Sequence, residues 1–186
     1  LAQVDRERHA EAIRRGIEFI RKSQEADGSW YGRWGANYVY GTWSALVALN
    51  GAGADMGQPW IRKAVEWLKA RQREDGGWGE GLESYEPWGA GFARASTASQ
   101  TAWALLGLIS AGEVDSPEVA RGVNWLVEAP REPDGPRWEE AHWTGTGFPR
   151  VFYLKYHGYA AFFPVWALAR YEATASANDR RVKWGI

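Results

Sequence analysis

The chain has 186 residues, with 22 Lys and Arg against 23 Asp and Glu and no cysteine. That length supports one domain with a real core, the near-neutral charge offers no basic field for nucleic acid and no acidic arm, and the missing thiols exclude disulfides and thiolate metal sites. No run of about 18 apolar residues is present to span a bilayer, and 13 tryptophans commit indole to a repeated structural task, a lined pocket, or both.

The charged start, Leu1 to Arg15, reads as helix and not as a signal peptide. It begins without Met, which suggests a processed chain or a fragment. Residues 8–23 form an amphipathic helix with Ile13, Ile17 and Ile20 on one face. Gly28 ends that unit, and an aromatic loop follows with Tyr31, Trp34, Tyr38 and Tyr40. The next helix, Thr42 to Asn50, has almost no polar face, so it is expected to be buried all round. Pro59 opens a second amphipathic helix striped by Ile61, Val65 and Leu68. A long loop, 79–95, carries Tyr85, Trp88 and Phe92. Thr97-Ala-Ser-Gln100 reads as a capping box before a second apolar helix, Ala102 to Ile109. Ser116-Pro117-Glu118 starts a third amphipathic helix, striped by Val119, Val123 and Leu126. A third apolar helix, about 160–171, ends at Tyr171, and the tail 173–186 is polar and expected to fray.

An internal repeat orders these pieces. Arg15-Gly-x-x-Phe19-Ile20-x3-Gln24-x3-Gly28-x-Trp30 matches Lys63-Ala-x-x-Trp67-Leu68-x3-Gln72-x3-Gly76-x-Trp78 at a period of 48. Arg121-Gly-x-x-Trp125-Leu126 opens a third, degenerate copy, in which Pro130 replaces Gln and two residues are inserted before Trp138. Such periods mark arrays of supersecondary units. The expected architecture is therefore all-α, an α/α toroid or an arc of one. About six helices lie in two layers, apolar ones inside and amphipathic ones outside, in a single domain over 1–186. Gln24, Trp30, Gln72 and Trp78 are expected to clip neighbouring outer helices. The glutamine amide would donate to orphan carbonyls at its own helix end and accept from a neighbouring N-terminus. Phe19, Trp67 and Trp125 are expected to pack in the outer layer.

The remaining aromatics sit elsewhere. Trp34, Tyr38, Tyr40, Tyr85, Trp88, Phe148, Phe152, Tyr156 and Tyr159 precede the inner helices, in loops that would gather at one end of a toroid, where pockets form. The stretch Thr144 to Tyr159 alone holds Phe148, Phe152, Tyr153, Tyr156 and Tyr159. By pattern, these rings either fill a core or line a cavity.

The Gln-x3-Gly-x-Trp repeats resemble the QW motifs of triterpene cyclases. Trp30-Tyr-Gly-Arg-Trp34-Gly-Ala-Asn-Tyr-Val-Tyr40-Gly-Thr42 and Gly145-Thr-Gly-Phe-Pro-Arg-Val-Phe-Tyr-Leu-Lys-Tyr-His157 resemble the C-terminal part of bacterial squalene–hopene cyclases. The likeness covers about residues 8–171. It implies an isomerase that cyclises squalene, a linear polyene, to hopene and hopanol without cofactor or metal. It also implies a fold of two α/α barrels, of which this chain supplies part of one. The family's enzymes are monotopic on the cytoplasmic side of the membrane, while this chain alone would be soluble or peripheral. By position, Trp34 and Tyr40 resemble cavity residues of the family. Phe148 and Phe152 resemble phenylalanines that stabilise late carbocations, and Tyr153, Tyr156 and Tyr159 resemble tyrosines in or behind the cavity wall.

One part of that chemistry is missing. The family protonates its alkene from an Asp-x-Asp-Asp motif, and this sequence has none. Asp27, Asp75 and Asp134 sit in the repeat turns. Glu80, Glu83 and Glu86, and Glu139 with Glu140, are expected as solvated rims, and Asp5 and Asp115 have no partner pattern. His9, His142 and His157 lack metal spacing, and His157 is expected to be structural. The chain would thus be inactive alone. Half a toroid would expose apolar flanks, so a second copy or the N-terminal part of the cyclase is expected to close it. Three other readings compete. A protein prenyltransferase β-subunit needs a Cys zinc ligand, absent here. A non-catalytic α/α module could bind apolar ligands, or sugars through stacked Trp, but toroid glycosidases need two opposed carboxylates. A purely structural remnant would share every residue with the favoured reading.

Overall fold

The computed structural model describes residues 1–87, 95–131, 133, 135 and 137–182. Trp88, Phe92 and Asp134 lie outside the described residues. Among those described, the helices are α1 (Ala10–Lys22), α2 (Tyr38–Gly51), α3 (Pro59–Ala70), α4 (Ala98–Ser110), α5 (Pro117–Glu128) and α6 (Tyr159–Ala175). A short 3-10 helix spans Leu82–Tyr85, and a hairpin of β1 (Gly145–Phe148) and β2 (Phe152–Leu154) precedes α6. The chain is all-α apart from that hairpin, an arc of an α/α toroid in two layers.

The inner layer is α2, α4 and α6, and α4 is its centre. Every residue of α4 is buried, because the helix packs on α2 along one flank and on α6 along the other. A sequence with no polar face satisfies that position, and each fully buried Leu or Ile there contributes about 1.5–3 kcal/mol. The outer helices bury only a stripe. Ile61, Val65 and Leu68 of α3 and Val119 and Leu126 of α5 face inward. By contrast α1 has no fully buried residue, its Ile17 and Ile20 pack on the core only in part, and Phe19, expected in the outer layer, is 72% exposed. Nothing among the described residues packs on the outer side of α1 to cover it.

Caps and turns follow local chemistry. Ser116 accepts from the Val119 amide at the head of α5, and Thr97 accepts from the Gln100 amide at the head of α4. The reciprocal half of that capping box is not made. Gln100 instead turns its amide to the Ala36 and Glu80 carbonyls, at 3.0 and 2.9 Å, and stitches α4 to two loops. Tyr38 and Tyr40, expected in a loop, open α2 as its first turn. The C-terminal tail is tied down to residue 182, for Val182 is buried and its carbonyl accepts from Asn50 at 2.9 Å.

The repeat clips act between outer helices. Gln24 donates to the Gly28 carbonyl at 2.8 Å and to the Trp60 carbonyl, in the first turn of α3, at 2.9 Å. Gln72 donates in the same way to Gly76 and to Glu118 of α5, both at 2.8 Å. The glutamine therefore joins its turn to the next helix through two carbonyls, where an acceptor role toward amides had been expected. Its oxygen is used too, since Gln72 accepts from Arg121. Gly76 has φ +90°, and a Cβ there would stand 3.0 Å from the Arg121 carbonyl, so the turn approaches the next helix as only glycine permits. Trp30 donates to the Ile20 carbonyl and Trp78 to the Leu68 carbonyl, each at 2.8 Å. The degenerate third copy keeps this bond, with Trp138 donating to Leu126 at 2.8 Å. Asp27 and Asp75 are turn residues that accept from the Ser29 and Gly77 amides, and Asp27 also takes the Trp67 indole N–H at 2.7 Å.

Candidate functional site

Two aromatic strings, far apart in sequence, meet at one end of the inner layer. In the hairpin, Gly145 pairs with Leu154, Thr146 with Tyr153 and Phe148 with Phe152, with a bulge between Thr146 and Phe148. The turn is closed by the Val151 amide donating to the Phe148 carbonyl at 3.0 Å, with Pro149 and Arg150 at its centre. Arg150 adopts φ 66° there, a costly conformation for a residue with a Cβ. It is anchored by its Nε, which donates to the Tyr85 carbonyl at 2.5 Å. The Trp34 string lies beside β1 as a third ribbon. Gly35 bridges to Gly145, Ala36 donates to the Thr144 carbonyl at 2.8 Å, and Thr146 donates to the Trp34 carbonyl at 3.3 Å.

Glycines seat the rings. A Cβ on Gly35 would meet the Tyr40 ring at 2.4 Å, one on Gly145 the Tyr156 ring at 2.5 Å, and one on Gly147 the Phe152 ring at 2.0 Å. Each aromatic face rests directly on backbone. Trp34 and Phe148 are 50% exposed, Phe152 44% and Tyr156 42%, so they form an open surface and not a core plug. Phe148 and Phe152 meet edge to face at 5.6 Å, and Tyr156 stacks on Tyr159 at 4.8 Å. Arg33 lies 5.3 Å over one face of Trp34. Tyr153 turns away from these rings and stacks on the buried Tyr85 at 6.0 Å.

Inner-helix rings that sequence reading had left in the core join the cluster. Trp103 lies 5.0 Å from Tyr40 and 5.6 Å from Tyr159, and Trp43 stacks parallel to it at 6.0 Å. Phe163 touches Trp43, Trp103 and Tyr159. A signal for them existed, since Trp43 and Trp103 stand at the same offset from the starts of α2 and α4. Both indole N–H groups are buried without a hydrogen-bond acceptor among the described residues.

Two carboxylates expected at the solvent are buried instead. Glu80, 3% exposed, accepts from the Tyr38 and Val39 amides at 3.0 and 2.9 Å and caps the start of α2. Glu140, 9% exposed, accepts from the Ser99 amide at 2.9 Å and hydroxyl at 2.7 Å at the start of α4. Burial pushes both carboxyls up, against the lowering pull of those hydrogen bonds. Glu83 and Glu139 are exposed as expected. The repeat again held a legible signal, a Glu two residues beyond Trp78 and beyond Trp138.

Tyr85 ties the strings together. Its hydroxyl sits 2.7 Å from both the Gly32 and Gly35 carbonyls, and burial holds its phenol far above the usual range. Burial likewise raises Tyr40 and pushes Tyr159 up to about 12. These phenols are neutral near pH 7, so they present π faces with no anionic oxygen. Such a surface attracts a cation at about 0.5–2 kcal/mol per ring without reacting with it. Among the described residues there is no cluster of three or more His, Asp or Glu able to hold a metal, and no helix is long and apolar enough to cross a membrane.

Comparison with known proteins places this arrangement. The family model of the squalene-hopene cyclase C-terminal domain matches residues 1–173. A probable squalene–hopene cyclase of Sinorhizobium fredii is 58% identical over 96% of this chain and 28% of its own length. A squalene–hopene cyclase of Bradyrhizobium diazoefficiens is 56% identical over 92% of the chain and 26% of its own length. A dammaradiene synthase of Dryopteris crassirhizoma is 44% identical over 90% and 26%. The chain thus spans about a quarter of the length of these curated relatives. It belongs to the squalene–hopene cyclase family, as that family's C-terminal domain.

Proposed function

We propose that this chain supplies the aromatic half of a cavity in which squalene is cyclised to hopene and hopanol, and that it does not start the reaction itself. Trp34, Tyr40, Phe148, Phe152, Tyr156 and Tyr159 stabilise the travelling carbocation, with Tyr153 behind the wall. The observation that carries this reading is the junction of the Trp34 string with the hairpin, which sets strands bearing half-exposed Trp34, Phe148 and Phe152 side by side. A carbocation met by a carboxylate or a loose water is quenched, whereas ring faces in a dry site lower successive barriers without reacting. The acid comes from another part of the enzyme, because an alkene needs a strong, positioned proton donor and no Asp-x-Asp-Asp stands in this sequence. The N-terminal part of the cyclase closes the layer, and the whole enzyme is monotopic on the cytoplasmic side of the membrane, taking squalene from the bilayer.

The test joins this chain to the N-terminal remainder of the Sinorhizobium fredii relative and incubates the product with squalene. Gas chromatography should detect hopene from the joined polypeptide and none from the isolated chain. Hopene from the pure isolated chain would overturn the assignment of the acid to another segment. A folded joined polypeptide that converts nothing would favour a non-catalytic module.

A further inference from the structure

Glu80 and Glu140 are used neither in the aromatic surface nor in the repeat clips. Each stands two residues past a repeat tryptophan, and each reaches back to the N-terminus of the preceding inner helix. The aromatic strings hang from those same points. Glu80 holds the first turn of α2, where Tyr40 is the third residue and which directly follows the string that carries Trp34. Beside it, Asn37 accepts from the Gly32 amide at 3.0 Å and donates to the Ser84 carbonyl at 3.3 Å. Glu140 holds both ends of the hairpin. Its carboxylate binds the Ser99 hydroxyl, which lies 3.0 Å from the Thr144 hydroxyl just before β1. Its main-chain carbonyl accepts from Lys155, just after β2, at 2.9 Å.

We propose that Glu80 and Glu140 are positioning residues for the cyclisation, each fixing one aromatic string through the helix terminus it caps. This rests on the cyclase reading above. Helix N-termini favour an anion, and a buried carboxylate that accepts backbone amides is held rigidly. A ring placed by such an anchor keeps its distance to the cation, and misplacement by about 1 Å costs up to about 100-fold in rate. The two sites differ in a way that can be tested. Both oxygens of Glu80 accept from amides, so Glu80→Gln turns an NH2 toward an N–H and should act like Glu80→Ala. At Glu140 a single oxygen serves Ser99, so Glu140→Gln keeps that bond and should stay near the parent, while Glu140→Ala should not.

The experiment uses the joined cyclase described above, with squalene, at a temperature well below each variant's melting point. Products are resolved by gas chromatography. Glu80→Gln, Glu80→Ala and Glu140→Ala should each raise the share of incompletely cyclised products about threefold or more, while Glu140→Gln leaves it near the parent value. The Glu80 variants should give the products of Tyr40→Ala, and Glu140→Ala those of Phe152→Ala. Where an alanine variant does not fold, the aspartate variants keep the charge, shorten the reach and should show the same shift at smaller size. Lower melting temperatures with an unchanged product pattern would make both residues merely structural and overturn the proposal. If Tyr40→Ala and Phe152→Ala also leave the products unchanged, the cyclase reading itself has failed, and this inference falls with it.

Discussion

At the scale of single residues, the indole bond of the repeat is the most exacting element. Trp78 is wholly buried, and its N–H donates to the Leu68 carbonyl at the end of α3, which also accepts from the Arg71 amide. Trp78→Phe should lower stability by about 1–3 kcal/mol, since it removes that buried hydrogen bond and leaves a void. Chemical denaturation measures the loss, and a midpoint unchanged from the parent would show that the bond is dispensable. Gly76→Ala forces a side chain into a left-handed backbone against the Arg121 carbonyl and should cost about 1–2 kcal/mol or more by the same assay. That Gln24 and Gln72 tie each repeat turn to the next outer helix was legible from the period, but the carbonyls they bind, and the indole bonds of Trp30 and Trp78 to their own preceding helices, were not. For Glu80 and Glu140 the repeat marked the position, two residues past a repeat tryptophan, but not the burial, because the capped amides belong to helices more than forty residues away in sequence.

At the scale of elements, helix type was legible and helix position was partly so. The all-apolar pattern placed α2, α4 and α6 inside, yet it could not show that α4 is covered on both flanks while α6 bares Phe162 and Val165. The hairpin escaped because its strands are four and three residues long, β1 holds two glycines and Pro149 follows it, which argue against strand locally. Pairing with the distant Gly35 supplies the bonds the short strands lack. One ion cluster fastens α3 to the turn after α4, with Glu113 2.6 Å from Arg62 and 2.5 Å from Lys69. Partial burial pushes the Glu113 carboxyl up, but the hydrogen bonds and charges of Lys69 and Arg62 outweigh this and hold it below the usual carboxylate range. A folded-state value below the unfolded one means the contribution is present above the unfolded value and lost as the pH falls through the folded one. The gap in melting temperature between the parent and Glu113→Gln should therefore be full at pH 7, worth about 1 kcal/mol, and close in acid below the ordinary carboxylate range. A gap that persists unchanged into strong acid would contradict the linkage.

At the scale of the molecule, six helices among the described residues make an arc whose two ends bare apolar side chains. Phe19 on α1 and Phe162 and Val165 on α6 stand in the open at opposite limits of the chain's layers. Exposed apolar flanks of this kind associate. Sedimentation of the isolated chain at micromolar concentration should show self-association, and joining the N-terminal remainder should remove it. Monomer alone in both cases would contradict the account of these flanks. The family likeness made the candidate rings legible by position, but their arrangement came from contacts that no string displays. Tyr40 is linked to Tyr159 through Trp103, and Phe152 is seated by Gly147. The central claim is that these rings steer a cation generated elsewhere in the enzyme. Its most direct test is Phe152→Ala in the joined cyclase, with squalene products resolved by gas chromatography below the melting point. The account predicts a rise in incompletely cyclised products at the expense of hopene, and a product pattern identical to the parent's would contradict it.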